Sequence, residues 1–245
     1  GRAWGIMATS ISKDDLSEPP VRVAVRVRPM LPGLDDDFGE QCIICHPQLG
    51  TEVTVHTEAA GAVQPHAFSF DTVFGPQTNQ YVVYETCGKP LIDAFMNGMR
   101  ACLFCYGQTG SGKTFSLLGA EGGGSVLDGV VPKIADEIFC RTAALGDSCR
   151  VFASYYEIYD ECVYDLLRDP DDEPQPLSVK STGEGFEVLG HASERVRTGP
   201  ELMELVARAT ELRTISSNSV HEHSSRSHAF LAITVEKEER HAKQA

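Results

Sequence analysis

The sequence is poor in long hydrophobic runs and in basic residues. No apolar run approaches the roughly 18 residues that a transmembrane helix requires. The first 20 residues hold no apolar segment of the kind that forms a secretory signal. We therefore expect no membrane partner and a location in the cytoplasm.

Basic residues are outnumbered by acidic ones. The 245 residues include 21 Lys and Arg against 35 Asp and Glu, so the net charge is −14 with His neutral. A general nucleic-acid-binding protein needs a basic face, and no nucleic-acid partner is therefore expected. The hydrophobic fraction of 42% is that of an ordinary globular protein and argues against disorder across the whole chain.

The sequence shows no internal repeat, and its length suits one large domain or two small ones. Residues 1–20 are mostly polar, and we predict a poorly ordered N-terminal tail there. Residues 21–245 are predicted to form the folded part of the chain.

Eight cysteines include two C-x-x-C pairs, Cys42 with Cys45 and Cys102 with Cys105. Four such residues could bind zinc. Both pairs, however, lie in apolar runs typical of strands, where positions i and i+3 point to opposite faces. We therefore interpret them as core cysteines, present as free thiols in a reducing compartment.

Hydrophobic periodicity predicts strands alternating with helices. Residues 21–28 alternate as a half-buried strand, and residues 101–106 form an apolar strand of the type that is buried on both faces. A helix is predicted over residues 79–95, with a break near Pro90. A later helix follows the capping pattern at Thr198, and its predicted buried face comprises Leu202, Leu205, Val206, Ala209 and Leu212.

A phosphate-binding loop follows the strand at 101–106 and precedes a predicted helix. It fits the pattern G-x-x-x-x-G-K-[ST] with Gly107, Gln108, Thr109, Gly110, Ser111, Gly112, Lys113 and Thr114. Glycines let the backbone curl so that several N–H groups face one phosphate. Lys113 would place its charge on the terminal phosphates, and the Thr114 hydroxyl would bind Mg²⁺. The alternative is a Gly-rich turn that binds nothing.

This loop alone leaves the class of nucleotide-binding protein open among GTPases, nucleotide kinases, transporter ATPases and motors. An aspartate after an apolar strand would narrow the choice, but neither Asp71 nor Asp165 follows a convincing one. The guanine-reading pattern N-K-x-D is absent from the sequence, which argues against a GTPase.

Further motifs accompany the loop in a fixed order. Arg26, Val27, Arg28 and Pro29 give R-x-R-P, and Tyr106 extends the loop to Y-G-Q-T-G-S-G-K-T. Residues 70–74 read F-D-x-V-F and are followed by Gln80-x-x-x-Tyr84, and residues 156–159 read Y-E-I-Y. Residues 224–228 read S-S-R-S-H. From about residue 21 to residue 236, this series resembles the motor domain of kinesins.

The resemblance implies an α/β fold of the P-loop NTPase type, with a central mixed sheet flanked by helices. It implies that Arg26, Arg28 and Pro29 flank the adenine of ATP and that Phe115 lies near the base, although Phe115 could equally be a core residue. It also implies that Ser224, Ser225 and Arg226 form the loop that senses the γ-phosphate, with Ser225 near Mg²⁺. The implied cofactors are ATP and Mg²⁺.

Two departures from the family pattern affect the expected activity. His221 stands where the family's γ-phosphate-sensing loop begins with Asn, and an imidazole cannot reproduce the paired donor and acceptor of an amide. The pattern D-L-A-G-S-E, which the resemblance places on a later strand, does not occur in these 245 residues. We therefore expect the N-terminal portion of a motor domain, incomplete at its C-terminus.

The resemblance implies a microtubule-stimulated ATPase that moves along the cytoskeleton in the full-length protein, with tubulin as partner. We expect the 245-residue chain to hold the nucleotide-binding half and to lack motor activity alone. The alternatives are a pseudo-motor or adaptor that binds nucleotide without hydrolysis and, more remotely, an unrelated nucleotide kinase or GTPase.

Overall fold

The computed structural model describes residues 3–10, 21–31, 42–46, 50–59, 62–120, 127–182, 185–218 and 227–237. The chain divides into two compact units, Gly1–Ile134 and Ala135–Ala245. Among the described residues, no helix combines the length and the apolar character needed to cross a membrane.

The first unit is built on a four-stranded mixed sheet in the order β6-β2-β1-β7. Its strands are β1 (Ala3–Ser10), β2 (Val21–Val27), β6 (Thr72–Phe74) and β7 (Ala101–Tyr106). β2 pairs with β6 in parallel, whereas β1 pairs antiparallel with both β2 and β7.

β1 differs from the poorly ordered tail that we predicted for residues 1–20. Ala3–Ser10 is an interior strand, whereas residues 11–20 lie outside the described residues. Its backbone pairs with Val21 to Val27 on one side and with Ala101 to Tyr106 on the other. Backbone hydrogen bonds require no particular side chains, so the segment AWGIMATS carries little periodic signal of this pairing.

A smaller antiparallel sheet contains β3 (Ile43–Cys45), β4 (Glu52–Ala59) and β5 (Ala62–Ser69), in that order. Its Ile43 and Val53 pack with Val25 and Val27 of β2 into one buried cluster. This cluster covers the face of β2 that carries Val25 and Val27. It contributes to the burial of the C-terminal end of β2, where we predicted a half-buried strand.

Helices cover the opposite face of the four-stranded sheet. α1 (Gln80–Val83), a π-helical turn (Tyr84–Gly88) and α2 (Lys89–Met96) follow one another without interruption. Pro90 has no N–H to donate to the preceding turn of the helix. The wider π-helical turn lies just before Pro90, at the predicted break. Val83, Tyr84 and Cys87 pack with Ala24, Phe74 and Val130 in the core of this unit.

β7 is exposed on one face, although we predicted burial on both. Leu103 and Cys105 pack against the helical core, whereas Cys102, Phe104 and Tyr106 alternate on the exposed side. Among the described residues, β7 is an edge strand, and the strands form three sheets rather than the single central sheet that we expected.

The second unit is built around the long strand β8 (Cys149–Tyr159), which follows α4 (Val130–Ala144) and a short 3₁₀ turn (Gly146–Ser148). β13 (His228–Lys237) pairs along the whole of one edge of β8. The other edge of β8 pairs with β12 (Glu194–Val196) and with β9 (Cys162–Asp165). Beyond β9, the sheet continues with β10 (Pro176–Thr182) and β11 (Gly185–Leu189).

Asp160 and Glu161 connect β8 to β9 with positive φ angles of 48° and 63°. Two residues in the left-handed region match the twist of a tight hairpin, and Asp adopts this conformation more readily than most residues. Asp165 is also structural, because its carboxylate accepts hydrogen bonds from the backbone N–H groups of Leu167 and Ala192.

α5 (Gly199–Asn218) completes the described part of the second unit. The hydroxyl of Thr198 accepts from the N–H of Glu201, and the Glu201 carboxylate accepts from the N–H of Arg197. The first bond confirms the predicted cap at Thr198, whereas the Glu201 carboxylate accepts from the residue before the cap rather than from Thr198 itself. The predicted buried face is also confirmed, since all five of its members are buried: Leu202, Leu205, Val206, Ala209 and Leu212.

Candidate nucleotide-binding site

The candidate site begins where β7 ends at Tyr106 and the chain turns through residues 107–112 into α3 (Lys113–Leu117). Gly112 has φ = +94°, a left-handed conformation that an L side chain would strain. The N–H of Ser111 donates to the carbonyl of Gln108 at 3.1 Å and tightens the loop. The structure thus places the predicted strand, loop and helix in the predicted order.

Lys113 is folded against this loop. Its Nζ donates to the carbonyl oxygens of Gly107 at 2.7 Å and Gln108 at 2.9 Å. Two neutral carbonyls do not neutralise the ammonium charge, so the loop carries a positive charge at its centre. Gln108, Thr109 and Gly110 are exposed around it.

Ser111 provides the observation that most directly points to an anion. Its side chain is 0% exposed, and its hydroxyl has no hydrogen-bond partner among the described residues. A buried hydroxyl without a partner is costly and calls for an explanation. A phosphate oxygen supplies the missing acceptor, so the loop residues fit a polyphosphate. The exposed Thr114 side chain beside Lys113 offers a hydroxyl that suits Mg²⁺.

Arg26 and Phe115, both predicted near the base, lie together. The guanidinium carbon of Arg26 is 5.3 Å from the centroid of the Phe115 ring, within the range of a cation–π contact. Arg26 is only 7% exposed, whereas Phe115 is 38% exposed. Burial lowers the pKa of Arg26, and the nearby Cys105 thiol opposes that shift. Arg28 is half-buried and Pro29 is exposed at the end of β2.

Gln80 belongs to the same group, although no role in the site was predicted for it. Its Oε1 accepts from Arg26 Nη1 at 2.8 Å, and its Nε2 donates to the Phe115 carbonyl at 2.6 Å. The available signal was the pattern Gln80-x-x-x-Tyr84, which was part of the family resemblance.

The far end of α3 is held by the base of the Gly-rich segment that follows it. Gly119 and Asp128 form an antiparallel bridge. A side chain at Gly129 would place Cβ 2.3 Å from the Leu117 carbonyl oxygen, closer than real contacts allow. Glycine at this position therefore lets the returning chain pack directly against the end of α3.

The predicted γ-phosphate-sensing residues Ser224, Ser225 and Arg226 lie outside the described residues, as does His221. The structure does describe the end of that motif. Arg213 of α5 donates from Nη2 to the Ser227 hydroxyl at 2.7 Å and to its carbonyl at 3.1 Å. Arg213 Nε also donates to Glu157 of β8 at 3.3 Å. The sequence did not identify Arg213, which anchors Ser227 to the helix and the sheet of the second unit.

All eight cysteines are free thiols. Within each C-x-x-C pair the two residues differ in exposure, because Cys42 and Cys102 are exposed whereas Cys45 and Cys105 are partly buried. The prediction of opposite faces fits, but the prediction of core residues is wrong for Cys42 and Cys102. In the part of the chain that the structure describes, His, Cys, Asp and Glu form no group of three that could hold a metal ion.

Alkylation with iodoacetamide at pH 8 is expected to modify the exposed Cys140 at least about 100-fold faster than Cys87 or Cys105, because thiolate is the reacting form. Burial raises the pKa of Cys87 to about 11, and burial with the neighbouring Cys87 raises that of Cys105 to about 12. Peptide mass spectrometry over time measures the rates. In guanidinium chloride the three rates should converge, and native rates that are already equal would contradict the buried environment.

The raised pKa values of Cys87 and Cys105 also affect the stability of the fold at high pH. Both thiols remain neutral in the folded state above pH 9.0, their ordinary pKa, whereas the unfolded chain loses those protons. Their contribution to stability is therefore complete below that pH and is lost as the pH rises toward 12.

Comparisons with known proteins identify the family of the chain. A family model described as the kinesin motor domain matches residues 26–245. The chain is 32% identical over 230 residues to kinesin-like protein KIF15 of Rattus norvegicus, covering 90% of this chain and 16% of that protein. It is 32% identical over 230 residues to chromosome-associated kinesin KIF4A of Homo sapiens, covering 91% of this chain and 18% of that protein. It is also 33% identical over 228 residues to kinesin-like protein KIF27 of Homo sapiens, covering 90% of this chain and 15% of that protein. The chain therefore spans less than a fifth of the length of these relatives.

Proposed function

This chain belongs to the kinesin motor domain family, and from that premise we propose that it binds ATP with Mg²⁺ in the loop at residues 107–114. We further propose that the whole protein couples ATP hydrolysis to movement along microtubules in the cytoplasm. The observation that carries the proposal is the buried Ser111 hydroxyl, which has no hydrogen-bond partner in the described part of the chain and lies two positions before Lys113 in a curled glycine loop.

Each predicted residue has a chemical role in this proposal. Lys113 and the loop N–H groups compensate the charge of the phosphates, and Ser111 donates its unpaired hydroxyl hydrogen. Thr114 and Ser225 provide oxygen ligands for Mg²⁺, which neutralises phosphate charge when bound. Phe115 packs against the base, with Arg28 and Pro29 at its edge. Ser224 and Arg226 sense the γ-phosphate.

The proposed partner is tubulin, and one exposed loop of the described chain is unfavourable for contact with it. Asp169, Asp171, Asp172 and Glu173 make one exposed loop strongly acidic. Like charges repel, so this loop disfavours contact with the acidic microtubule surface. We propose that basic residues elsewhere in the whole protein carry the microtubule contact.

A turnover assay on the whole protein tests the function. Phosphate release from ATP is expected to rise and saturate with microtubule concentration, and Lys113→Ala should abolish the release. Selective binding of GTP over ATP would contradict the proposal. So would unchanged turnover by Lys113→Ala.

The second candidate is a protein of the same family that binds ATP without hydrolysing it. The observation that favours it is His221, which replaces the family's Asn in the γ-phosphate-sensing loop. Tight ATP binding together with no phosphate release, with or without microtubules, would select this candidate. Recovery of turnover in His221→Asn would identify that residue as the cause.

A further inference from the structure

β5 is the outermost strand of the small antiparallel sheet in the first unit. All eight of its residues are exposed, and among the described residues no strand pairs with its outer edge. A free strand edge presents N–H and C=O groups with which the strand of another chain can pair. The outer edge of β5 is therefore a surface at which a second chain could extend the sheet.

This edge lacks the charged side chains that usually protect an exposed strand. Residues 62–69 contain no Lys, Arg, Asp or Glu, although the whole chain has a net charge of −14. Val63 is 66% exposed and Phe68 is 48% exposed. An exposed, uncharged strand of this length favours pairing between chains. A second copy presents the same uncharged edge, so the two edges are self-complementary about a two-fold axis and do not repel each other.

The hydrogen bonds of β4 show which backbone groups of β5 point outward. The N–H of His56 on β4 donates to the Cys42 carbonyl at 2.7 Å, on the side of β3. Successive residues of an antiparallel strand direct their backbone groups to alternate sides, so those of Val55 point toward β5. The same alternation holds at the other end of β4, where the Thr51 carbonyl accepts from the N–H of Phe70 at 2.9 Å.

Pro65 lies in the middle of the outward-facing row. It stands directly opposite His56, whose backbone groups point away from β5. The nitrogen and the carbonyl of Pro65 therefore point to the free edge. Proline has no N–H, so one donor of the edge is missing there, and prolines within sheets are confined to positions of this kind. Val63 and Ala67, two positions to either side, direct their N–H groups outward by the same alternation.

We propose that Pro65 prevents β5 from pairing with β5 of a second copy of this chain. The pairing of β4 with β5 does not use the position of the missing N–H, because that position faces away from β4. No strand of the described chain lies along this edge to accept from an N–H restored there. Pairing between copies is thus the interaction that such an N–H would support. The inference is independent of the proposed nucleotide binding.

Pro65→Thr tests this role, because it restores the N–H with a residue that favours strands. Sedimentation velocity on the whole protein over a range of concentrations measures self-association. The association constant is expected to rise about tenfold or more, the effect of regaining a hydrogen-bond donor in each copy. Association through other parts of the protein, including the free edge of β7, is common to wild type and variant.

Three further variants identify the edge as the cause. Pro174→Thr makes the same substitution at an exposed position outside the strands and should leave the association constant within about twofold of wild type. Adding Ala67→Pro to Pro65→Thr removes an outward N–H from the same edge again and is expected to restore the wild-type constant. If Pro65→Thr does not fold by circular dichroism, Pro65→Ala restores the N–H with a smaller side chain and should show the same rise.

Three results would overturn the inference. The first is a folded Pro65→Thr variant whose association constant stays within about twofold of wild type. The second is a rise that persists after Ala67→Pro is added, because the outer edge of β5 would then not be the route of association. The third is an equal rise in Pro174→Thr, which would attribute the effect to the loss of any exposed proline.

Discussion

Replacing Lys113 with Ala is expected to lower the affinity for MgATP by about 100-fold or more, equivalent to roughly 3 kcal/mol. The Lys113 ammonium lies against the loop carbonyls of Gly107 and Gln108, and the remaining described donors of the loop are neutral. A phosphate chain bound there without Lys113 would keep its charge uncompensated in a partly buried site. Isothermal calorimetry on the purified protein measures the change.

The loss should extend to Mg-tripolyphosphate, which has phosphates but no base, because the Lys113 ammonium lies at the phosphate loop. Lys180→Ala provides the matched control, because Lys180 is an exposed lysine on β10 in the second unit. That variant should bind both ligands as wild type does. An affinity for MgATP within about threefold of wild type in Lys113→Ala would place the phosphates elsewhere, since the difference is below roughly 1 kcal/mol.

Leu202→Ala is expected to lower the free energy of unfolding by about 2 to 5 kcal/mol. Leu202 is 0% exposed at the start of α5, in the buried face that continues through Leu205, Val206 and Ala209. Truncation removes buried methyl groups and leaves a cavity that the packed helix cannot fully close. Urea unfolding followed by far-ultraviolet circular dichroism measures the difference.

Leu145→Ala is the control for this substitution. Leu145 is 47% exposed after the end of α4, so its truncation should change the free energy of unfolding by less than about 0.5 kcal/mol. Equal effects of the two variants would mean that α5 does not pack through the face assigned to it.

Local patterns predicted the features that depend on nearby residues. The phosphate loop was recognisable because its glycines, Lys113 and Thr114 act within eight consecutive positions. The face of α5 was recognisable because helix geometry repeats within a few residues. Such features need no knowledge of distant parts of the chain.

Features that join distant residues were not predictable in the same way. Arg26 alternates with valines along β2 and looked like an exposed arginine, yet Gln80 and Ser116 lie 54 and 90 positions away and bury its charge. The sequence therefore predicted that Arg26 lies close to Phe115, but it did not predict the orientation of the Arg26 side chain. The exposed face of β7 was missed for a related reason, since composition cannot tell which faces other elements cover.

The position of β1 has a consequence for the order in which the protein folds. Ser10 pairs with Ala101, so the strand must remain without this neighbour until about ninety further residues have been synthesised. Closing so long a loop is slow compared with forming a hairpin. During synthesis, β2 can pair with β1 early, whereas the strand that leads into the phosphate loop joins late. The nucleotide site can therefore fold only after β7 has been synthesised and has paired with β1, whatever the sequence of the phosphate loop itself.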